Sequence, residues 1–275
     1  MVDARCFEFK FLHAFLVLLL LLHMNNPSIG CIEREREALL AFKQGIVDTD
    51  NQLSSWGSSE VQNEDCCTWK GVECNLTGHV IELQLFNQSL QGSVPDVWGN
   101  MSSLRVLNLW ENQFKGGFPN SFSKLCSLQT LVLSNNNLTG QFSELIQMLS
   151  KCAQNSLDFL DLSDNRLSGS LPESIEKMVR LTYLHVSGNQ LTGRLPESIG
   201  NMSLRELGLY GNRLSGRLPE SIGQMSKLVY MNLGMNSLEG EISETHFSQL
   251  SMLKTLDLSS NSLVLNFHSD WVVRQ

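Results

Sequence analysis

A chain of 275 residues with 28 acidic against 20 basic side chains has a formal net charge of -8. This argues against a nucleic-acid surface, because neutralising phosphates takes clustered Lys and Arg. Length alone allows one large domain or two ordinary ones, but a fixed internal period overrides that prior.

The N-terminus runs Lys10, an apolar stretch from Phe11 to Leu22 broken only by His13, then Pro27 and the small residues Ser28 and Gly30. This reads as a secretory signal peptide over residues 1–30, cleaved before Cys31. The apolar run is too short to span a bilayer comfortably. Cleavage would leave six of the seven cysteines: Cys31, Cys66, Cys67, Cys74, Cys126 and Cys152. In an oxidising compartment these read as disulfides and not as metal ligands, with a connectivity that the sequence does not fix. Five sequons, at Asn75, Asn87, Asn100, Asn137 and Asn201, point to a glycoprotein.

Past the leader, Glu33 to Gln44 forms an amphipathic helix candidate, with Leu39, Phe42 and Ile46 on one stripe. From Leu83 onward one pattern recurs, L-x-L-x-x-N-x-L-x-G, in segments starting at Leu83, Leu107, Leu131, Leu160, Leu184, Leu207, Met231 and Leu256. The spacing is 24, 24, 29, 24, 23, 24 and 25 residues. Two leucines separated by one residue face the same side of a short strand, so each turn buries only half its strand. Turns must therefore stack, sharing one apolar interior and pairing their strands in parallel.

The amide column reads Gln88, Asn112, Asn136, Asn165, Asn189, Asn212, Asn236 and Asn261. These amides are expected to bond backbone groups where the chain bends, since an unpaired buried peptide group costs on the order of 1–3 kcal/mol. Glycines follow in register, and five of the six prolines, Pro95, Pro119, Pro172, Pro196 and Pro219, fall at the same place in their turns. Proline lacks a donor and fits a bend or an edge. The 29-residue interval holds a longer outer segment, Ser143 to Lys151, with Phe142, Leu145, Ile146 and Leu149 at helical spacing. Cys126 and Cys152 bracket it, and a bridge there would staple two adjacent turns on the convex side.

Segments such as Leu195 to Gly200, Leu-Pro-Glu-Ser-Ile-Gly, resemble the plant extracellular subfamily of leucine-rich repeats. The resemblance implies an α/β repeat fold: a right-handed solenoid with a parallel concave sheet, a second short sheet beside it, and an irregular, 3-10 or short helical convex side. Cys31 to about Leu76 resembles that family's disulfide-bonded helical N-terminal cap, which implies the pairs Cys31 with Cys66 and Cys67 with Cys74. The expected domains are the leader at 1–30, the cap at 31–76 and about eight repeats over 77–275. The last repeat stops at Asp270 to Gln275, leaving its end unshielded, as in a truncated product or a piece of a longer receptor.

Catalytic chemistry finds no foothold. His79, His185, His246 and His268 show no metal-ligand spacing and read as surface or concave-face residues. Ser121-x-x-Lys124 with Ser163-Asp164-Asn165 imitates two signatures of serine β-lactamases, but the third is absent and Asn165 belongs to the amide column. No catalytic residue, metal or cofactor is expected.

The variable positions are those flanking the paired leucines, on the open side of each strand. Aromatic side chains there cost hydration without filling the core, and they dominate binding energetics. The expected ligand contacts are Trp110, Phe159, Tyr183, Tyr210 and Tyr230, with Asp161, His185 and Glu206 supplying polar specificity. By resemblance the chain is the ligand-binding ectodomain of a plant receptor-like protein, in defence or developmental signalling. Its partner would be an extracellular peptide or protein, with a co-receptor kinase to signal. It would reside at the apoplastic face, and at the plasma membrane if a C-terminal membrane helix belongs to the full-length form. The alternative resemblance is to the secreted polygalacturonase-inhibiting proteins, whose cysteine-bearing C-terminal cap has no counterpart after Cys152.

Overall fold

A computed structural model describes residues 30–57 and 65–268. The leader, apart from Gly30, and the segment from Ser269 onward lie outside the described residues. Each turn opens with a short strand: Val80–Gln84, Val106–Asn108, Thr130–Val132, Phe159–Asp161, Tyr183–His185, Glu206–Gly208, Tyr230–Asn232 and Thr255–Asp257. They pair in parallel with no slip, so that Leu83, Leu107, Leu131, Leu160, Leu184, Leu207, Met231 and Leu256 form one row. Val72–Cys74 adds an antiparallel edge on the cap side, making nine strands among the described residues. The row is buried through Met231 and opens only at Leu256, whereas the residues on either side of it are mostly half-exposed. That alternation is the period-2 pattern of a sheet with one dry face.

The amide column interlocks the turns. Asn165 Nδ2 donates to the Leu133 carbonyl of the turn before at 2.9 Å and to Leu162 and Ser163 of its own turn at 3.1 and 3.2 Å. Its Oδ1 accepts the Leu138 amide, again of the turn before, at 2.9 Å. Asn112, Asn136, Asn189, Asn212, Asn236 and Asn261 repeat this pattern. Gln88, one methylene longer, does not: its Nε2 turns to the Phe86 and Asn87 carbonyls and its Oε1 accepts from Lys70 Nζ of the cap.

On the convex side, Pro119, Pro172, Pro196 and Pro219 each precede a 3-10 turn, at Asn120–Lys124, Glu173–Lys177, Glu197–Asn201 and Glu220–Gln224. Proline's fixed φ sets the entry to these turns, and Phe122, Ile175, Ile199 and Ile222 close the core from behind. The sheet beside the concave one is split. One piece holds Gln91–Ser93, Gln113–Gly116 and Asn137–Leu138; the other holds Thr192–Gly193, Arg213–Gly216, Ser237–Ile242 and Ser262–Leu265. The break falls at the long interval, where a single bridge, Gln141 to Ser168, joins the turns. The extra residues form a helix, α2, Phe142–Leu149, with Phe142, Leu145, Ile146 and Leu149 buried. Cys126 and Cys152 are bridged beside it, with Cα atoms 4.6 Å apart.

The cap helix α1 spans Glu33–Gln44 and buries Leu39 and Phe42. Phe42 packs against Trp56 and Trp98, and Trp56 stacks on Trp69. Ile46 lies beyond α1 and its cap residue Gly45, is half-buried, and does not continue the helical stripe. Bridges join Cys31 to Cys66 and Cys67 to Cys74. Glu35, buried in the cap, accepts the Val80 amide at 2.6 Å and bonds His79 Nδ1 at 2.8 Å, tying the helix to the first strand. At the other end Leu256, Val264 and Leu265 stay exposed.

Candidate ligand-binding face

All eight expected contact residues stand on the open side of the concave sheet or at its strand ends. The chain has three tyrosines, Tyr183, Tyr210 and Tyr230, and all are there, whereas Trp56, Trp69 and Trp98 are core. Tyrosine's apolar body and polar tip suit a sheet face that stays open to solvent.

The residues form three groups and not one continuous patch. In the centre, Phe159 packs on Tyr183 at a centroid distance of 5.4 Å and meets the His185 ring edge-on at 5.8 Å. His185 Nε2 bonds Glu206 Oε2 at 3.1 Å on the adjoining strand. Gly208 makes room for this, since a Cβ there would stand 3.3 Å from the His185 ring. Asp161 accepts the Ser134 hydroxyl at 2.7 Å and the Ser163 amide at 3.0 Å, so much of its bonding capacity is spent on the scaffold. Tyr230 lies beyond, its hydroxyl accepting from Asn232 Nδ2.

Trp110, 40% exposed, pairs with Phe86 at 6.3 Å near the cap, with the Thr130 strand and its Ser134 separating this pair from the centre. Tyr210, 39% exposed, leans to the next turn, where its hydroxyl donates to Met235 Sδ at 2.6 Å. Phe86 and Met235 are therefore exposed members of the face that the sequence reading did not select. Met235 had a signal: the residue before each column amide takes a left-handed conformation, and most turns place Gly, Asn or Asp there.

His246 is neither a surface nor a concave-face residue: it is buried behind the sheet, accepting the Ser243 amide at Nδ1 and bonding the Leu218 carbonyl through Nε2. A ring that both accepts and donates can fill a polar gap between turns, which is why it is tolerated there. Ser121 sits on a convex 3-10 turn and accepts the Trp98 amide, whereas Ser163 follows a concave strand, so the lactamase-like triplets do not meet.

Residues 32–75 match the family described as leucine rich repeat N-terminal domain. Residues 79–138 and 202–263, and 156–178 with 180–202, match families described as leucine rich repeat. Receptor-like protein EIX1 of Solanum lycopersicum is 42% identical over 86 residues, which are 31% of this chain and 8% of that protein. The chain thus spans a small part of the relative's length. Among solved structures, PEPR1-AtPEP1 is similar with a TM-score of 0.77 and 31% identity, over 84% of this chain and 32% of that one. The Arabidopsis receptor kinase HAESA, solved with the peptide hormone IDA and the co-receptor SERK1, gives a TM-score of 0.68 and 29% identity over 84% of this chain and 42% of that one.

Proposed function

This chain belongs to the plant leucine-rich-repeat family, and from that premise we propose that it is an extracellular recognition module, the ligand-binding part of a receptor-like protein. It acts by binding and not by catalysis. Its contact surface is the concave face, through Trp110, Phe159, Tyr183, Tyr210 and Tyr230, with His185, Glu206 and Asp161 beside them. The observation that supports this best is that every tyrosine of the chain stands on an accessible sheet whose opposite face is already filled with leucine.

The partner is a peptide or protein outside the cell, and a co-receptor kinase carries the signal. No helix among the described residues is long and apolar enough to cross a membrane. The secreted chain is to be screened against extracellular plant peptides and microbial wall-degrading enzymes by interferometry. Replacing Tyr183 and Tyr210 together with alanine should weaken the bound partner at least about a hundredfold, since hot-spot aromatics contribute about 2 kcal/mol or more each. Glu220→Ala on the convex side should leave binding as it was. A partner whose affinity survives the double substitution contradicts the assignment. A captured polygalacturonase that loses activity would favour the inhibitor reading instead.

A further inference from the structure

The sequence Gly-Asn-Met-Ser occurs twice, at Gly99 to Ser102 and at Gly200 to Ser203, each time closing a convex 3-10 turn: Trp98–Asn100 in the first repeat and Glu197–Asn201 in the fifth. Both copies are sequons, and both asparagines are exposed. Their surroundings differ. At the second copy the following turn packs closely, so that a Cβ on Gly200 would collide with the Ser221 carbonyl, and the turn before supplies Glu176, whose Oε2 accepts from Asn201 Nδ2 at 2.8 Å. At the first copy a Cβ on Gly99 would have the long Lys124 side chain as its nearest neighbour, at 3.3 Å. Among the described residues none bonds the side-chain amide of Asn100.

The cause is the element that comes before. Ahead of Trp98–Asn100 stands the cap helix α1 and not another 3-10 turn, and α1 presents Ala38 and Ala41 to it. These short side chains, with Gly99, leave an open groove of about 570 Å³ between α1, Trp98–Asn100 and Asn120–Lys124, with Asn100 in its wall. That volume lies within the roughly 300–1,000 Å³ of small-ligand sites. Glu37, Asp96, Asn120 and Lys124 add acceptors and donors to the lining. Neither Glu37 nor Lys124 has a hydrogen bond or ion pair of its side chain among the described residues, so both are available. Small apolar walls with free polar groups between them suit a sugar, which offers C–H faces and a ring of hydroxyls. The same three elements meet in the core through rings, Phe42 on Trp98 at 5.4 Å and Trp98 on Phe122 at 5.9 Å, so the groove follows the seam between cap and solenoid.

We propose that Asn100 carries an N-linked glycan whose first sugars lie in this groove and fasten the cap helix to the first two turns. Transfer joins Asn100 Nδ2 to the anomeric carbon of an oligosaccharide and breaks that carbon's bond to a lipid diphosphate donor. The diphosphate leaves as the anion, and the amide proton passes to solvent. Because the sugar is then tethered beside its site at an effective concentration of about millimolar, individually weak contacts hold it there. Asn201 lacks such a groove, so a glycan at that position projects into solvent. None of this depends on what the concave face binds.

The test uses the chain secreted with high-mannose glycans. Glycopeptide mass spectrometry should find Asn100 occupied. Amide exchange in α1 and in Asn120–Lys124 should quicken about tenfold or more in Asn100→Gln. Ser102→Ala, at an exposed residue, removes the sugar but keeps the asparagine and should have the same effect. Asn201→Gln, the same loss in a turn without the groove, should leave both regions as they were. Should the Asn100 variants fail to be secreted, amidase release of the glycan from the folded parent makes the same comparison. An unoccupied Asn100 overturns the proposal. So does an occupied one whose loss changes these amides no more than the loss at Asn201.

Discussion

Asn165 shows how much one side chain can hold. It satisfies three carbonyls and one amide drawn from two successive turns, and it is buried. Asn165→Leu keeps the approximate size and strands those groups, so unfolding free energy should fall by on the order of 3 kcal/mol or more by urea denaturation. Gln88→Leu, at the one turn where the amide instead reaches the cap lysine, should be milder. Met235→Gly should do the opposite, since glycine adopts the left-handed region freely and already serves at Gly188 and Gly211. A stability gain of up to about 1 kcal/mol by urea denaturation would show the cost of holding methionine in a conformation that the repeat imposes on every turn. The amide column was legible because backbone bends need buried acceptors and donors wherever they recur. The strain at Met235 was not singled out, because a methionine before an asparagine announces nothing until the repeated conformation of its neighbours is known.

At the level of elements, periodicity and cysteine placement carried most of the information. Apolar spacing located α2 almost to its ends, and α1 to its residues, since both bury a narrow stripe against the coil. Splitting of the second sheet was less visible: lengthening one turn changes which neighbour its return strand can reach, a consequence of geometry between turns. Replacing Cys126 and Cys152 with serine should lower stability by about 3–4 kcal/mol at most, from the 26-residue loop the bridge closes. It should also speed amide exchange in α2 ahead of the concave strands. His246 was misjudged because a single histidine in a polar segment gives no sign of being buried, and only the packing of the 3-10 turn Glu244–Phe247 behind the sheet reveals it.

Acid behaviour also belongs to elements. The carboxyl of Glu244 is pulled down to about 2, first by the His268 backbone amide, and Glu173 and Asp257 are lowered by bonds from Ser198 and Ser259. A carboxyl depressed by folding stabilises fully above its unfolded pKa, near 4.5 for Glu, and loses that contribution as pH falls towards the folded value. Melting temperature should therefore decline between about pH 4.5 and 2. Glu244→Gln should flatten that decline, and an unchanged profile would count against the Glu244 bond.

Taken as a whole, the molecule divides its surface by constraint. The leucine row, the asparagine ladder and the convex prolines fix almost every inward position, and their repetition made the solenoid plain from the sequence. The concave positions escape those demands, so their individual residues could be named in advance. Their grouping could not: whether Phe159 meets Tyr183, or Trp110 meets Phe86, depends on side-chain directions across strands about 4.8 Å apart. Hydrogen exchange of the secreted chain with a selected ligand measures the central claim directly. Protection should fall on the strands from Val106–Asn108 to Tyr230–Asn232 and the residues just after them, leaving the convex 3-10 turns unchanged. Protection confined to those convex turns or to the cap would contradict the assignment of the concave face.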